Sequence, residues 1–143
     1  MLKLKILHPE LLYSLAMCGH GSKILIADAN FPVATKTPPT SRKVFVNIAP
    51  GLVNATTMLQ LISEIIPLED VVGMATPDEK EEPVHTEYRA LLGSSIRFTT
   101  LKRSAFYECA VSEDTCLVVA TGEIRRFANL LLTVSVIKPG MVL

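Results

Sequence analysis

Hydrophobic positions along the chain alternate between helical spacing and short unbroken runs, each closed by glycine, proline or a polar residue. Pro9 opens Glu10-Leu11-Leu12-Tyr13-Ser14-Leu15-Ala16-Met17, where proline suits a first turn, Glu10 suits the positive end of a helix, and Gly19 supplies the stop. The pattern predicts a short helix. Lys23-Ile24-Leu25-Ile26-Ala27 is too short for a helix and apolar enough for a strand covered on both faces. Val44-Phe45-Val46-Asn47-Ile48 resumes strand character, and Ala49-Pro50-Gly51 turns the chain. Asn54 caps a periodic segment running from Ala55 to Ile66, which Pro67 ends. Val71 to Ala75 then reads as a strand, Pro83 to Leu92 as a helix, Ile96 to Thr99 as a strand and Arg103 to Val111 as a helix. Leu117 to Ala120 and Leu130 to Ile137 read as the last strands.

This order predicts the α/β class, a single layered domain over residues 1–143 whose sheet is covered by helices. The sheet should be mixed, because several connections are too short for a parallel crossover. No repeat and no Gly/Ser linker divides the chain, and a domain of this size buries roughly two-thirds of its unfolded surface. Asn30 to Lys43 carries Pro32, Pro38 and Pro39 and cannot sustain a helix, so it is expected to be an ordered surface loop, functional or a lid. The acidic run Asp78-Glu79-Lys80-Glu81-Glu82 reads as a solvated approach to the next helix.

Charge narrows the choice of partner. Lys plus Arg number 14 and Asp plus Glu number 14, so no global field draws nucleic acid or an anionic membrane, and a neutral partner is expected. No apolar run approaches the ~20 residues of a membrane span. Met1-Leu2-Lys3-Leu4-Lys5-Ile6-Leu7 meets Pro9 and Glu10 before any long apolar segment and does not read as a signal peptide, which favours the cytoplasm. Cys18, Cys109 and Cys116 follow neither a disulfide framework nor a zinc spacing, and are expected to be buried thiols with no metal.

Two places concentrate chemistry. Gly19-His20-Gly21 sets a histidine between residues that allow positive φ, at the junction of a helix end and a buried strand. His20 is then either a positioned acid/base group or a solvated turn residue. Asp28 ends the following core strand, where open α/β sheets place ligands, and it serves either a ligand or the turn beyond it. Asn30 and Phe31 could line the same cleft. Thr121-Gly122-Glu123 and Phe127-Ala128-Asn129 bring further polar groups to strand ends, and Arg103 offers a forked donor or pairs with Glu108 or Glu123. His8 and His85 sit in first turns and read as structural. GxGxxG, GxxxxGK[ST], GxSxG and HExxH are all absent, so histidine, carboxylate, arginine and amide are left to a reaction of proton transfers without a cofactor.

Taken in order, these residues resemble a known family. Pro9-Glu10-Leu11-Leu12, Met17-Cys18-Gly19-His20-Gly21 and Ala27-Asp28-Ala29-Asn30-Phe31-Pro32 are similar to the fucose mutarotase branch of the RbsD/FucU family. Pro67-Leu68-Glu69, Pro83-Val84-His85-Thr86-Glu87-Tyr88, Ala105-Phe106-Tyr107-Glu108, Thr121-Gly122-Glu123 and Phe127-Ala128-Asn129 continue the likeness. The resemblance implies an enzyme that interconverts sugar anomers, with His20 as proton donor, Asp28 beside it as a catalytic and sugar-binding group, and Arg103, Phe127, Ala128 and Asn129 as sugar contacts. It also implies a monosaccharide partner and a ring-shaped homo-oligomer, commonly a decamer, with sites completed by a neighbouring subunit. The apolar stretch Leu130 to Ile137 fits such an interface or a central strand. Arg103 stands where the ribose-type branch has histidine, which leans toward fucose-like sugars. Phe127 stands where tyrosine is usual, and Ala49-Pro50-Gly51-Leu52 replaces Arg-Ala-Asp-Gly-Leu, so the sugar itself could differ.

Overall fold

In the computed structural model, which describes residues 2–141, the expected alternation closes into one mixed sheet. Helix α1 (Pro9–Met17) is followed by β1 (Lys23–Ala27), β2 (Arg42–Phe45), α2 (Ala55–Ser63), β3 (Leu68–Met74), α3 (Pro83–Leu92), β4 (Arg97–Leu101), α4 (Arg103–Ala110), β5 (Thr115–Ala120) and β6 (Leu130–Val134). The six strands lie in the order β2-β5-β1-β6-β3-β4. β1 pairs parallel with β5, β5 with β2, and β3 with β4, while β6 runs antiparallel between β1 and β3. All strands except β6 therefore point the same way.

Side-chain alternation along the central strands builds two separate cores. Ile24 and Ile26 of β1, Leu117 and Val119 of β5 and Leu130, Leu132 and Val134 of β6 face one side, under Leu11 and Leu15 of α1, Met58, Leu59 and Ile62 of α2 and Val84, Tyr88 and Leu92 of α3. Leu25, Ala27, Val118 and Leu131 face the other, under Phe106 and Ala110 of α4 and Phe31. Burial on both faces is why these strands carry unbroken apolar runs. The apolar Leu130-Leu131-Leu132 stretch is thus a central strand, and within Leu130 to Ile137 only Val136 and Ile137 are exposed.

Several boundaries differ from expectation. β2 begins at Arg42, pairing with Leu117, and stops at Phe45 because Ile48 N–H turns back to the Val46 carbonyl. α2 ends at Ser63, three residues before Ile66, because Ile65 and Ile66 both donate to the Ile62 carbonyl and wind up the last turn. β3 starts earlier, at Leu68, since Glu69 and Asp70 lie on a solvated stretch that conceals strand character, and β6 ends at Val134, where Ser135 N–H leaves to bond Pro67. The proline-rich segment is ordered up to β2, with Thr37 and Ser41 buried and their hydroxyls donating to Val33 and Pro38 carbonyls. Among the described residues, no helix is long and apolar enough to cross a membrane.

Candidate functional site

Because five strands are parallel, their C-terminal ends share one edge, where open α/β sheets leave a crevice. Asp28 leaves β1 there, Met74 ends β3, Arg103 follows β4, and Asn129 stands immediately before antiparallel β6. They surround a cavity of about 350 Å³ whose other walls are Asn30, Phe31, Tyr107, Arg126 and Phe127.

Asp28 is 6% exposed and held from three sides. Its Oδ1 accepts from Asn30 N–H at 2.9 Å, its Oδ2 accepts from Asn129 Nδ2 at 2.9 Å, and its own N–H donates to Asn129 Oδ1 at 2.7 Å. The two bonds to Asn129 leave the amide one orientation. Burial pushes the Asp28 carboxyl above its ordinary value, against the pull of the Asn30 and Asn129 hydrogen bonds. A carboxylate so placed takes up a proton more readily than an exposed one.

Arg103 occupies the first turn of α4 with its guanidinium 5.5 Å from the Tyr107 ring. Neither Glu108 nor Glu123 pairs with it; Glu123 belongs to Arg125, at 2.8 Å. Arg126, unnoticed in the sequence, lies 5.2 Å from the Phe127 ring and lines the same cavity. Among the described residues, neither Arg103 nor Arg126 makes an ion pair. The cavity thus offers a fixed carboxylate, two free guanidinium groups and aromatic surface.

The segment before β6 is held from behind by α3. Phe127 has φ 58°, a left-handed conformation that costs a bulky residue on the order of 1–3 kcal/mol and persists only under restraint. The restraint is visible: Glu82 N–H donates to His85 Nδ1, leaving Nε2 to donate to the Phe127 carbonyl at 3.0 Å. Tyr88 hydroxyl donates to the Ala128 carbonyl at 2.8 Å, and burial pushes its phenol well above the usual range. His85 and Tyr88 are one turn apart on the buried face of α3 and are positioning residues, a role that the first-turn place of His85 does not signal in the sequence. Ala128 itself is fully buried and does not line the cavity, so its expected sugar contact is not part of this wall.

A second network braces the same end. Glu123 is 2% exposed; burial alone would raise its carboxyl, but Arg125 carries it below the ordinary range. Arg125 also binds Glu87 and Thr56, and Glu123 Oε2 accepts from Ala55 N–H, so α2, α3 and the turn after β5 are joined. Gly122 permits that turn, for an added Cβ would stand 2.5 Å from the Ala49 carbonyl and collide with that of Leu52.

His20 is elsewhere. It projects from the turn before β1, its side chain 60% exposed and its Nε2 3.4 Å from Glu69 Oε2. From Lys23 to Ala27 the strand advances four steps of ~3.3 Å, about 13 Å, and His20 precedes that span while Asp28 follows it. The expected pairing of His20 with Asp28 therefore does not form within one chain. The physical reason is that the run from Ile24 to Ala27 crosses the whole sheet before Asp28 is reached.

Residues 1–137 match the model of the RbsD/FucU transport protein family. The chain is 34% identical to the fucose mutarotase of Danio rerio, covering 94% of this chain and 92% of that protein, and 34% identical to the fucose mutarotase of Homo sapiens, covering 89% and 87%. Among solved structures, Bacillus subtilis RbsD complexed with D-ribose is similar at TM-score 0.83 and 28% identity, covering 96% of this chain and 100% of the other. The fucose mutarotase of Streptococcus pneumoniae in complex with L-fucose is similar at TM-score 0.81 and 26% identity, covering 96% and 100%.

Proposed function

The chain belongs to the RbsD/FucU family, and we propose that it is a sugar mutarotase, a single-domain isomerase interconverting the α and β anomers of L-fucose or a similar monosaccharide. The observation that carries this reading is the Asp28 carboxylate, fixed by Asn129 and Asn30 at the floor of a cavity with apolar and hydrogen-bonding walls, the composition that suits a neutral polyhydroxylated ring. Mutarotation removes the proton of the anomeric hydroxyl and protonates the ring oxygen; the opened chain then recloses on its other face. It needs only an acid and a base flanking one carbon. Asp28, with its raised proton affinity, receives the proton or orients the hydroxyl that gives it, and Arg103 donates to a neighbouring hydroxyl. Asn129 acts chiefly through Asp28, since both ends of its amide are already engaged there.

The acid is His20, supplied by a neighbouring subunit of a ring, decameric in this reading, working in the cytoplasm. The distance between His20 and Asp28 along one chain supports the shared site. So does unpartnered apolar surface: Leu7, Phe45, Ile48 and Leu52 are 55%, 59%, 81% and 52% exposed.

Anomer exchange measured by saturation-transfer NMR with several sugars tests the reading. L-fucose exchange should be accelerated by the wild type and fall toward the uncatalysed rate with His20→Ala; equal rates for the two proteins would refute it. Phe127 and Pro50, which depart from the family pattern, favour a non-catalytic sugar-binding protein of the same fold, and a second enzymatic reading is a pyranase that interconverts ring sizes of D-ribose by the same proton transfers. Faster exchange of ribose than of fucose in that experiment selects it. Saturable sugar binding without accelerated exchange would instead select a sugar-binding protein of the same fold.

A further inference from the structure

Cys18 is the residue that ends α1, directly before Gly19 and His20. Its Sγ lies 3.0 Å from Sγ of Cys116 on β5, 98 residues away in the chain. Both thiols are free and half-buried, and Cys18 lines a shallow cleft beside His20 of about 420 Å³. Neither faces the sugar cavity at the other edge of the sheet. Cys109, the third cysteine, sits on α4 as a free thiol.

We propose that Cys18 and Cys116 are an oxidation site, a thiol pair that hydrogen peroxide converts to a reversible disulfide, and that this bond slows the enzyme by displacing the His20 turn. The pair divides the roles that such chemistry needs. Hydrogen bonding from Cys18 lowers the Cys116 thiol to about 7, with Ser22 assisting, whereas the same contact and burial push Cys18 well up. Cys116 thiolate attacks one peroxide oxygen; the S–O bond forms, the O–O bond breaks, and the second oxygen leaves as water after taking a proton. Cys18 sulfur then attacks the sulfenic sulfur of Cys116; the S–S bond forms, the S–O bond breaks, and the oxygen leaves as a second water carrying the Cys18 proton. Two electrons pass from the two sulfurs to the peroxide.

The consequence for His20 follows from how its turn is fastened. On one side Gly21 N–H and Ser22 carbonyl bond Val134 of β6; on the other Cys18 N–H bonds Leu15 of α1, and Gly19 N–H donates to the Ser22 hydroxyl. A disulfide needs its sulfurs at about 2.05 Å, roughly 1 Å closer than the thiols now stand. Drawing Cys18 toward β5 shifts one anchor while β6 holds the other. This second part rests on His20 as the acid of the mutarotase proposed above; the disulfide does not.

The test treats the full-length protein with hydrogen peroxide and maps its peptides without reduction. The expected result is a Cys18–Cys116 cross-link within one chain with loss of two hydrogens, reversed by dithiothreitol, with Cys109 still free. Sulfinic acid on Cys116 without the cross-link, or cross-links only between chains, would overturn the site. In cross-linked protein L-fucose exchange should slow by about 10- to 100-fold and recover on reduction, while Cys18→Ser, treated alike, keeps its rate. An unchanged rate in fully cross-linked wild type would overturn the link to His20. Should the reduced protein exchange no sugar, the His20 imidazole proton resonances report instead: they must move on oxidation in wild type and stay in Cys18→Ser.

Discussion

Mixing two inactive variants gives the sharpest test of where the site is assembled. In the mechanism proposed above His20→Ala removes the acid and Asp28→Asn the carboxylate, and each should lose about 10²- to 10⁴-fold of anomer exchange. An acid and a base that act on one anomeric centre must each come within ~3 Å of it, whereas β1 alone separates the two residues of a chain by about 13 Å. If each site drew on a single chain, every subunit in the mixture would carry a lesion in its own site, and mixing would restore nothing. If neighbours share the site, random association of equal amounts leaves roughly a quarter of sites with an intact His20 from one subunit and an intact Asp28 from the other. Activity should then rise from about 1% or less to about 25% of wild type once subunits exchange. Saturation-transfer NMR reads the exchange rate, and native mass spectrometry on differently tagged variants verifies that mixed oligomers have formed. Mixed oligomers with no gain in rate would refute the shared site and with it the role given to His20.

Three further results follow from the same geometry. Asp28→Asn should hardly change the melting temperature: the fixed Asn129 amide would face a donor, losing a hydrogen bond worth about 1 kcal/mol, while the cost of a buried charge disappears. A collapse in stability rather than in rate would make Asp28 structural. Gly122→Ala should destabilise by about 2–4 kcal/mol in urea titration, because both obstructing atoms are backbone carbonyls, and a neutral outcome would mean that the turn over residues 49–53 relaxes freely. Glu123 and Glu87 are both held below their unfolded values by Arg125, so the stability they contribute is present above the ordinary carboxylate range and lost as pH falls through their lower folded values. Asp28, shifted upward, works in the opposite direction and at higher pH: its buried charge costs stability that is regained as pH falls from its raised folded value toward the ordinary carboxylate range. Melting temperature should therefore fall below about pH 4, and Arg125→Gln should flatten that fall; an equally steep fall in the variant would rule out the network as its cause.

Periodicity made the elements legible because both faces of the sheet are covered. Ile24 to Ala27, Leu117 to Ala120 and Leu130 to Leu132 are apolar at every position, so their strands stand out without tertiary information. β3 was half hidden, since Leu68-Glu69-Asp70 is a strand whose polar side chains face solvent and Arg97 rather than core. Strand order was not legible at all: β6 follows β5 in the chain but lies beyond β1, a choice made by pairing that no local pattern records.

The site shows the same division between what is local and what is not. Asp28, Arg103 and Asn129 each stand at the end of a recognisable element, so strand-end position alone gathers them in one cavity once the strands are parallel. The residues behind them carry no such mark. His85 reads only as a structural residue of a first turn and Tyr88 only as part of a helix, and nothing in the sequence says that the carbonyls they hold belong to Phe127 and Ala128, some 40 residues onward. His20 is the opposite case, conspicuous between two glycines yet remote from Asp28. A glycine-flanked turn reports that a side chain is presented, and the sheet then decides to whom. Here it presents His20 away from its own cavity, and in the shared site proposed above the recipient is a second copy of the chain.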